Sequence, residues 1–138
     1  MCSSELRLNG HLSRWAVQAL ARLFCTFGII QGVLVIHGGR RRWSSPAFDT
    51  ALNVPGAPAS WGVAILVIGI VGLYGTLALK LKVVFFAMWA ISCWFMFFTI
   101  SLLHAALKNP DAATTGIITY GTMGITAAVL GIIYKVSH

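Results

Sequence analysis

The chain has 138 residues, of which 58% are hydrophobic and 9% charged, and it carries a net charge of +7. Soluble domains run about 45–50% apolar and about 25% charged, so this composition has too little polar surface for a soluble enzyme and too much apolar surface for a disordered chain. An integral membrane protein is expected, its basic excess directed at anionic lipid headgroups and not at nucleic acid, because no aromatic-basic groove pattern accompanies the charge.

The first apolar segment covers 15–36. Its length matches the ~20 residues that a helix needs to cross ~30 Å of hydrocarbon. His11, Arg14, Gln18 and Arg22 are spaced by three and four and form one polar stripe. One reading is an interfacial turn or two, with the span proper starting at about Ala19 and Arg22 snorkelling to the headgroups. The other places the arginine against a pore or a partner. Gly38-Gly39 stops the helix after His37. No small-x-small cleavage site follows at the right place, and Ala57-Pro58-Ala59 lies too far on, so the segment is read as a retained span. Cys2, Cys25 and Cys93 lack paired spacing and read as small hydrophobic fillers.

The first loop opens with Arg40-Arg41-Arg42-Trp43, a lipid-headgroup cluster beside an interfacial aromatic. Ser45 as N-cap and Pro46 at the first position predict a short helix over 46–53. Phe48, Ala51 and Leu52 share its apolar face, which is expected to lie on the membrane surface. Pro55-Gly56-Ala57-Pro58 makes a stiff turn, and Ser60 caps the second span, 61–79. That span carries a small-residue strip, Gly69, Gly72 and Thr76.

A loop over 79–82 makes a tight hairpin with the third span, 83–103, which bears aromatics on every side. Such a helix faces lipid over part of its surface and fills the bundle with the rest. Asn109-Pro110-Asp111 breaks the chain before the fourth span, 116–134. Gly121, Gly124, Ala128 and Gly131 line a second groove there, for packing inside the bundle or between subunits. Trp15, Trp43, Trp61 and Trp89 lie near span boundaries as candidate interfacial anchors. The fold class expected is all-α, a single polytopic membrane domain of four transmembrane helices plus one interfacial helix.

Four spans place both termini on one side with Arg7, Arg14, Lys80, Lys82 and Lys135, against Arg40, Arg41, Arg42 and Lys108 on the other. The positive-inside rule therefore favours cytoplasmic termini by a narrow margin. The spans contain no Asp or Glu. This speaks against a proton-coupled exporter of the small four-helix type, which needs a titratable carboxylate in the membrane, where this chain has Arg22. No metalloenzyme set, nucleophile elbow or phosphate loop is visible, so a non-enzymatic protein without a cofactor is expected. The nearest approach to a cofactor site is His37 with His104, which end parallel spans and could ligate a haem. The alternative is two interfacial histidines, each serving its own helix end.

Phe48-Asp49-Thr50-Ala51-Leu52, followed by Pro55-Gly56-Ala57-Pro58-Ala59-Ser60-Trp61-Gly62, resembles the entry to the second span of small membrane proteins of actinobacterial phages. Some of these are assigned holin-like roles. The resemblance implies a membrane-permeabilising or membrane-guarding protein, and supplies no catalytic motif. The expected function is a holin-like protein of a bacterial inner membrane acting by helix association as a homo-oligomer. The alternatives are an accessory subunit of a larger membrane complex and a small haem or quinone protein.

Overall fold

Inside hydrocarbon every backbone N–H and C=O must be satisfied by the chain itself, which leaves the helix as the economical solution for segments of this length. The computed structural model describes residues 2–42, 48–53, 55–108 and 115–137, and only the backbone of 2–13, 40–42, 49, 50 and 137. Its elements are α1 (Cys2–Arg42), α2 (Asp49–Leu52), α3 (Ala59–Leu77), α4 (Leu81–Lys108) and α5 (Thr115–Ser137). Among the described residues four stretches are long and apolar enough to cross a membrane: Arg14–Gly39, Ala59–Leu77, Leu81–Lys108 and Thr115–Val136. The protein is an all-α integral membrane protein built on four such helices.

Around the bundle the order is α1, α3, α4, α5. α1 packs most extensively on α3 and α4 on α5; the α3–α4 hairpin joins the two pairs, and α1 also meets α5. Each helix buries positions that alternate by three and four. On α1 these are Ala21, Cys25, Gly28, Gly32 and Val35, and on α3 Gly62, Ile65, Gly69, Gly72 and Thr76. On α4 they run Val84, Met88, Ile91, Phe95, Phe98, Leu102 and Ala105, and on α5 Gly124, Ala127, Gly131 and Tyr134. This alternation of three and four keeps one seam of each helix facing its neighbours.

The seams differ in what fills them. Between α1 and α3 they are filled by backbone. A Cβ added at Gly32 would lie 2.7 Å from the Gly62 carbonyl oxygen, and one at Gly69 would lie 2.8 Å from the Cys25 carbonyl oxygen. Between α4 and α5 the contacts are made by larger groups: a Cβ at Gly124 would meet the Met96 sulfur at 3.0 Å, and one at Gly131 the Met88 Cβ at 3.1 Å. Ser92 adds a hydrogen bond across this second seam, its hydroxyl donating to the Gly124 carbonyl at 2.7 Å.

Several expected boundaries move. α4 starts at Leu81 and runs on to Lys108, past the expected end at Leu103. The hairpin before it is closed by the α3 C-terminus, where the Ala78 N–H donates to the Tyr74 carbonyl and the Lys80 N–H to the Gly75 carbonyl. This is the six-to-one pattern of a Schellman cap, with Leu79 (φ 53°) in the left-handed position that glycine usually takes. Ser60 is not the N-cap of α3; Pro58 is, without a side-chain cap bond, and Ser60 lies within the first turn. The expected stop at Gly39 is a kink inside α1 (φ 56°), after which helical backbone resumes to Arg42.

The first-loop helix is shorter than the expected 46–53, and its expected caps Ser45 and Pro46 lie outside the described residues, as do Trp43 and Pro110. Its apolar face turns inward and not to lipid. Ala51 is fully buried, Phe48 and Leu52 pack on the core, and the Phe48 ring meets Phe98 edge-on at 6.3 Å. Packing this face against α4 takes much of its apolar surface out of solvent. Trp61 likewise leaves the interfacial role: it is buried, T-shaped against Phe98 at 5.2 Å.

Gly32→Ala should lower the stability of the detergent-solubilised protein by about 1–3 kcal/mol, the usual cost of overpacking. Gly121→Ala adds a Cβ at an ordinary 3.5 Å from Thr99 Cγ2 and should leave stability unchanged or raise it by up to about 1 kcal/mol. Thermal unfolding followed by circular dichroism reads both, and equal losses would show that the α1–α3 approach is not limiting.

Candidate functional site at the cationic end

Arg14, Gln18, Arg22, Lys80, Lys82 and Lys135 lie at the end of the bundle where α1 enters, α3 ends, α4 begins and α5 ends. The level of this end follows from length. About 20 residues, or ~30 Å of helix, counted back from the break at Gly39 reach Ala19. Gln18 is thus the first residue above the hydrocarbon, and it sits beside the last turn of α3, donating from Nε2 to the Thr76 carbonyl at 3.3 Å. The last four carbonyls of a helix have no partner within it. Here Tyr74 and Gly75 are served by the following backbone and Thr76 by Gln18. The Thr76 hydroxyl is turned back to the Leu73 carbonyl at 2.8 Å.

The expected stripe of Arg14, Gln18 and Arg22 therefore divides. Gln18 is half-buried and turned toward α3, while Arg14 and Arg22 are exposed. Trp15, Gln18, Ala19, Arg22, Leu23 and Thr26 line an open cavity of about 340 Å³ on the outside of α1. Arg22 lies less than one turn below the level of Ala19, within snorkelling reach of the headgroups. Lys80 and Lys82 stand at the α3–α4 hairpin and Lys135 on the last turn of α5. Two of these ammonium groups rest on aromatic faces: Lys80 over Tyr74 at 5.3 Å and Lys135 over Phe85 at 5.0 Å. The side chains assembled here are donors and cations, chemistry that holds carbonyl or anionic groups.

The opposite end is aromatic. Trp61, Trp94, Phe97, Phe98 and Tyr120 make a connected set, with Trp94 and Phe98 centroids 4.4 Å apart. The indole N–H groups of Trp61 and Trp94 are buried without a hydrogen-bond acceptor, and each indole faces aromatic rings instead. His37 and His104 also lie toward this end, both exposed. The His37 Nδ1 is 3.2 Å from the Val33 carbonyl of its own helix, and α4 continues beyond His104 for another turn. No group of three or more His, Cys, Asp or Glu side chains comes together among the described residues. The side chains of Arg40, Arg41 and Arg42 lie outside the described set.

Of the expected packing residues, Gly69, Gly72 and Thr76 are buried between α3 and its neighbours, with Gly72 facing the Cys25 sulfur. Gly124 and Gly131 are buried against α4, and Gly121 and Ala128 are half-buried. Gly28 and Gly32 were not singled out from the sequence. Their signal is the four-residue spacing of two glycines in an apolar run, the pattern that lets membrane helices approach closely. Ser92 carries no such spacing signal.

Gln18→Leu should leave the Thr76 carbonyl unpaired and cost about 0.6–2 kcal/mol, the range for interhelical hydrogen bonds in membranes. Arg22→Leu should leave folding stability within about 0.5 kcal/mol, because the side chain is exposed. Chemical unfolding in mixed micelles separates the two, and a larger effect from Arg22 would reverse these assignments.

No protein-family model, curated protein or solved structure matches the chain.

Proposed function

We propose that this is a non-enzymatic, holin-like membrane protein of phage type that acts by helix association in a bacterial inner membrane, with both termini in the cytoplasm. The observation that carries the reading is the outer face of α5. This is the least buried of the four spans, and Thr115, Thr119, Thr122 and Thr126 lie exposed along it at spacings of four, three and four. The Thr119 and Thr126 hydroxyls donate to the carbonyls four residues back, at 3.0 and 2.8 Å, and keep lone pairs to accept from a neighbour. In lipid, small polar residues on a helix face are the usual contact between helices. The exposed arginines of α1 add fixed charge that hydrocarbon tolerates only beside water, headgroups or protein. Cytoplasmic termini place Lys80, Lys82 and Lys135 against the anionic leaflet.

A second reading, an accessory subunit of a larger membrane complex, draws on the apolar groove of about 290 Å³ between α1 and Met123 of α5, which side chains of another helix could enter. Expression alone separates the two. Regulated production in a bacterium should collapse the membrane potential abruptly, and Arg22→Leu should delay that collapse without preventing insertion. In the same cells, on a cysteine-free background, a thiol reagent added from outside should reach a cysteine placed at Ser44 and miss one at Ser137. High expression with an undisturbed potential and co-purification with a larger assembly would favour the accessory reading.

A further inference from the structure

Two apolar grooves flank one exposed ridge of α4 at the cationic end. The first, about 460 Å³, lies between α4 and α5 and is lined by Leu81, Lys82, Phe85, Phe86 and Lys135. The second, about 380 Å³, lies between α3 and α4, with Val67, Val71 and Val83 among its walls. Lys82 and Phe86 belong to both. They are four residues apart and so stand one above the other on the helix, the ammonium at the headgroup level and the 68%-exposed phenyl ring one turn deeper. Lys135 closes the first groove from the α5 side, its ammonium held 5.0 Å from the Phe85 centroid. The linings of the two grooves include no acidic residue.

We infer that this ridge and its grooves are a binding site for one anionic diacyl phospholipid. The phosphate sits between Lys82 and Lys135, and the two acyl chains run down either side of Phe86. Charge complementarity selects the headgroup. The forked shape selects a lipid with two chains, because a single chain fills only one groove. A soluble anion would gain nothing from the apolar walls, and a zwitterionic lipid would bring its own cation to two lysines. Nothing in this inference depends on how the protein acts in the membrane.

The test is native mass spectrometry of the full chain in mild detergent, titrated with phosphatidylglycerol, its lyso form, or phosphatidylcholine of matched chains. The wild type should bind phosphatidylglycerol at least tenfold more tightly than phosphatidylcholine, and 0.5 M salt should remove most of that preference. Lys82→Gln and Lys135→Gln should each weaken the anionic lipid about fivefold, the effect of roughly one surface cation, and leave phosphatidylcholine unchanged. Arg14→Gln, at the same end but outside both grooves, should change neither. The lyso form should bind more weakly than the two-chain lipid. Equal binding of the two headgroups, or an Arg14 effect as large as that of the two lysines, would overturn the site. A lyso form that binds as tightly as the diacyl lipid would overturn its forked geometry.

Discussion

Everything else in this bundle depends on how closely the backbones of α1 and α3 approach. Gly28, Gly32, Gly62 and Gly69 place main chain against main chain, and any Cβ at Gly32, Gly62 or Gly69 would intrude to less than 3 Å of a neighbouring atom. Without a hydrophobic force between helices in lipid, such contact is the main source of affinity. It also sets the register. With the two helices pinned at this depth, Gln18 falls level with Thr76 and can satisfy a carbonyl that the end of α3 leaves open. The short α3–α4 turn, closed by the Schellman cap at Leu79, then hands the register on to α4.

The second pair, α4 and α5, is held differently. Its seam is filled by Met88, Phe95 and Met96 against the α5 glycines, with the Ser92 hydroxyl on the Gly124 carbonyl. Large polarisable side chains fill irregular space and tolerate small shifts. The result is a molecule with a tight half and a more adaptable half. The threonine face that we propose as a contact surface lies on the adaptable half.

Much of the fold was legible because hydropathy and length in a membrane are nearly sufficient: the four spans, the break at Gly39 and the tight α3–α4 hairpin follow from runs of apolar residues and their punctuation. Helix ends were less so. Leu81 and 104–108 belong to α4 although the apolar run stops short of them, since a helix that leaves the bilayer needs no apolar residues. The burial of Trp61 and the contact of the α2 face with α4 were not legible, for one shared reason. An amphipathic aromatic satisfies the interface and the bundle end equally well, and only the packing of Phe97 and Phe98 decides between them. The polar stripe was visible as spacing, but its division between Gln18 turned inward and two exposed arginines depends on where α3 ends, which no local pattern on α1 encodes.

The proposed mode of action makes a specific demand. The inner small residues are occupied within one chain, so assembly must use an outer face, and α5 offers the least covered one. Native mass in mild detergent, for the wild type and for Thr122→Leu with Thr126→Leu, tests this most directly. The account predicts a wild-type oligomer that the paired substitution reduces to a folded single chain. A wild type that remains a single chain at membrane-like protein-to-detergent ratios, or an oligomer indifferent to the substitution, would contradict it.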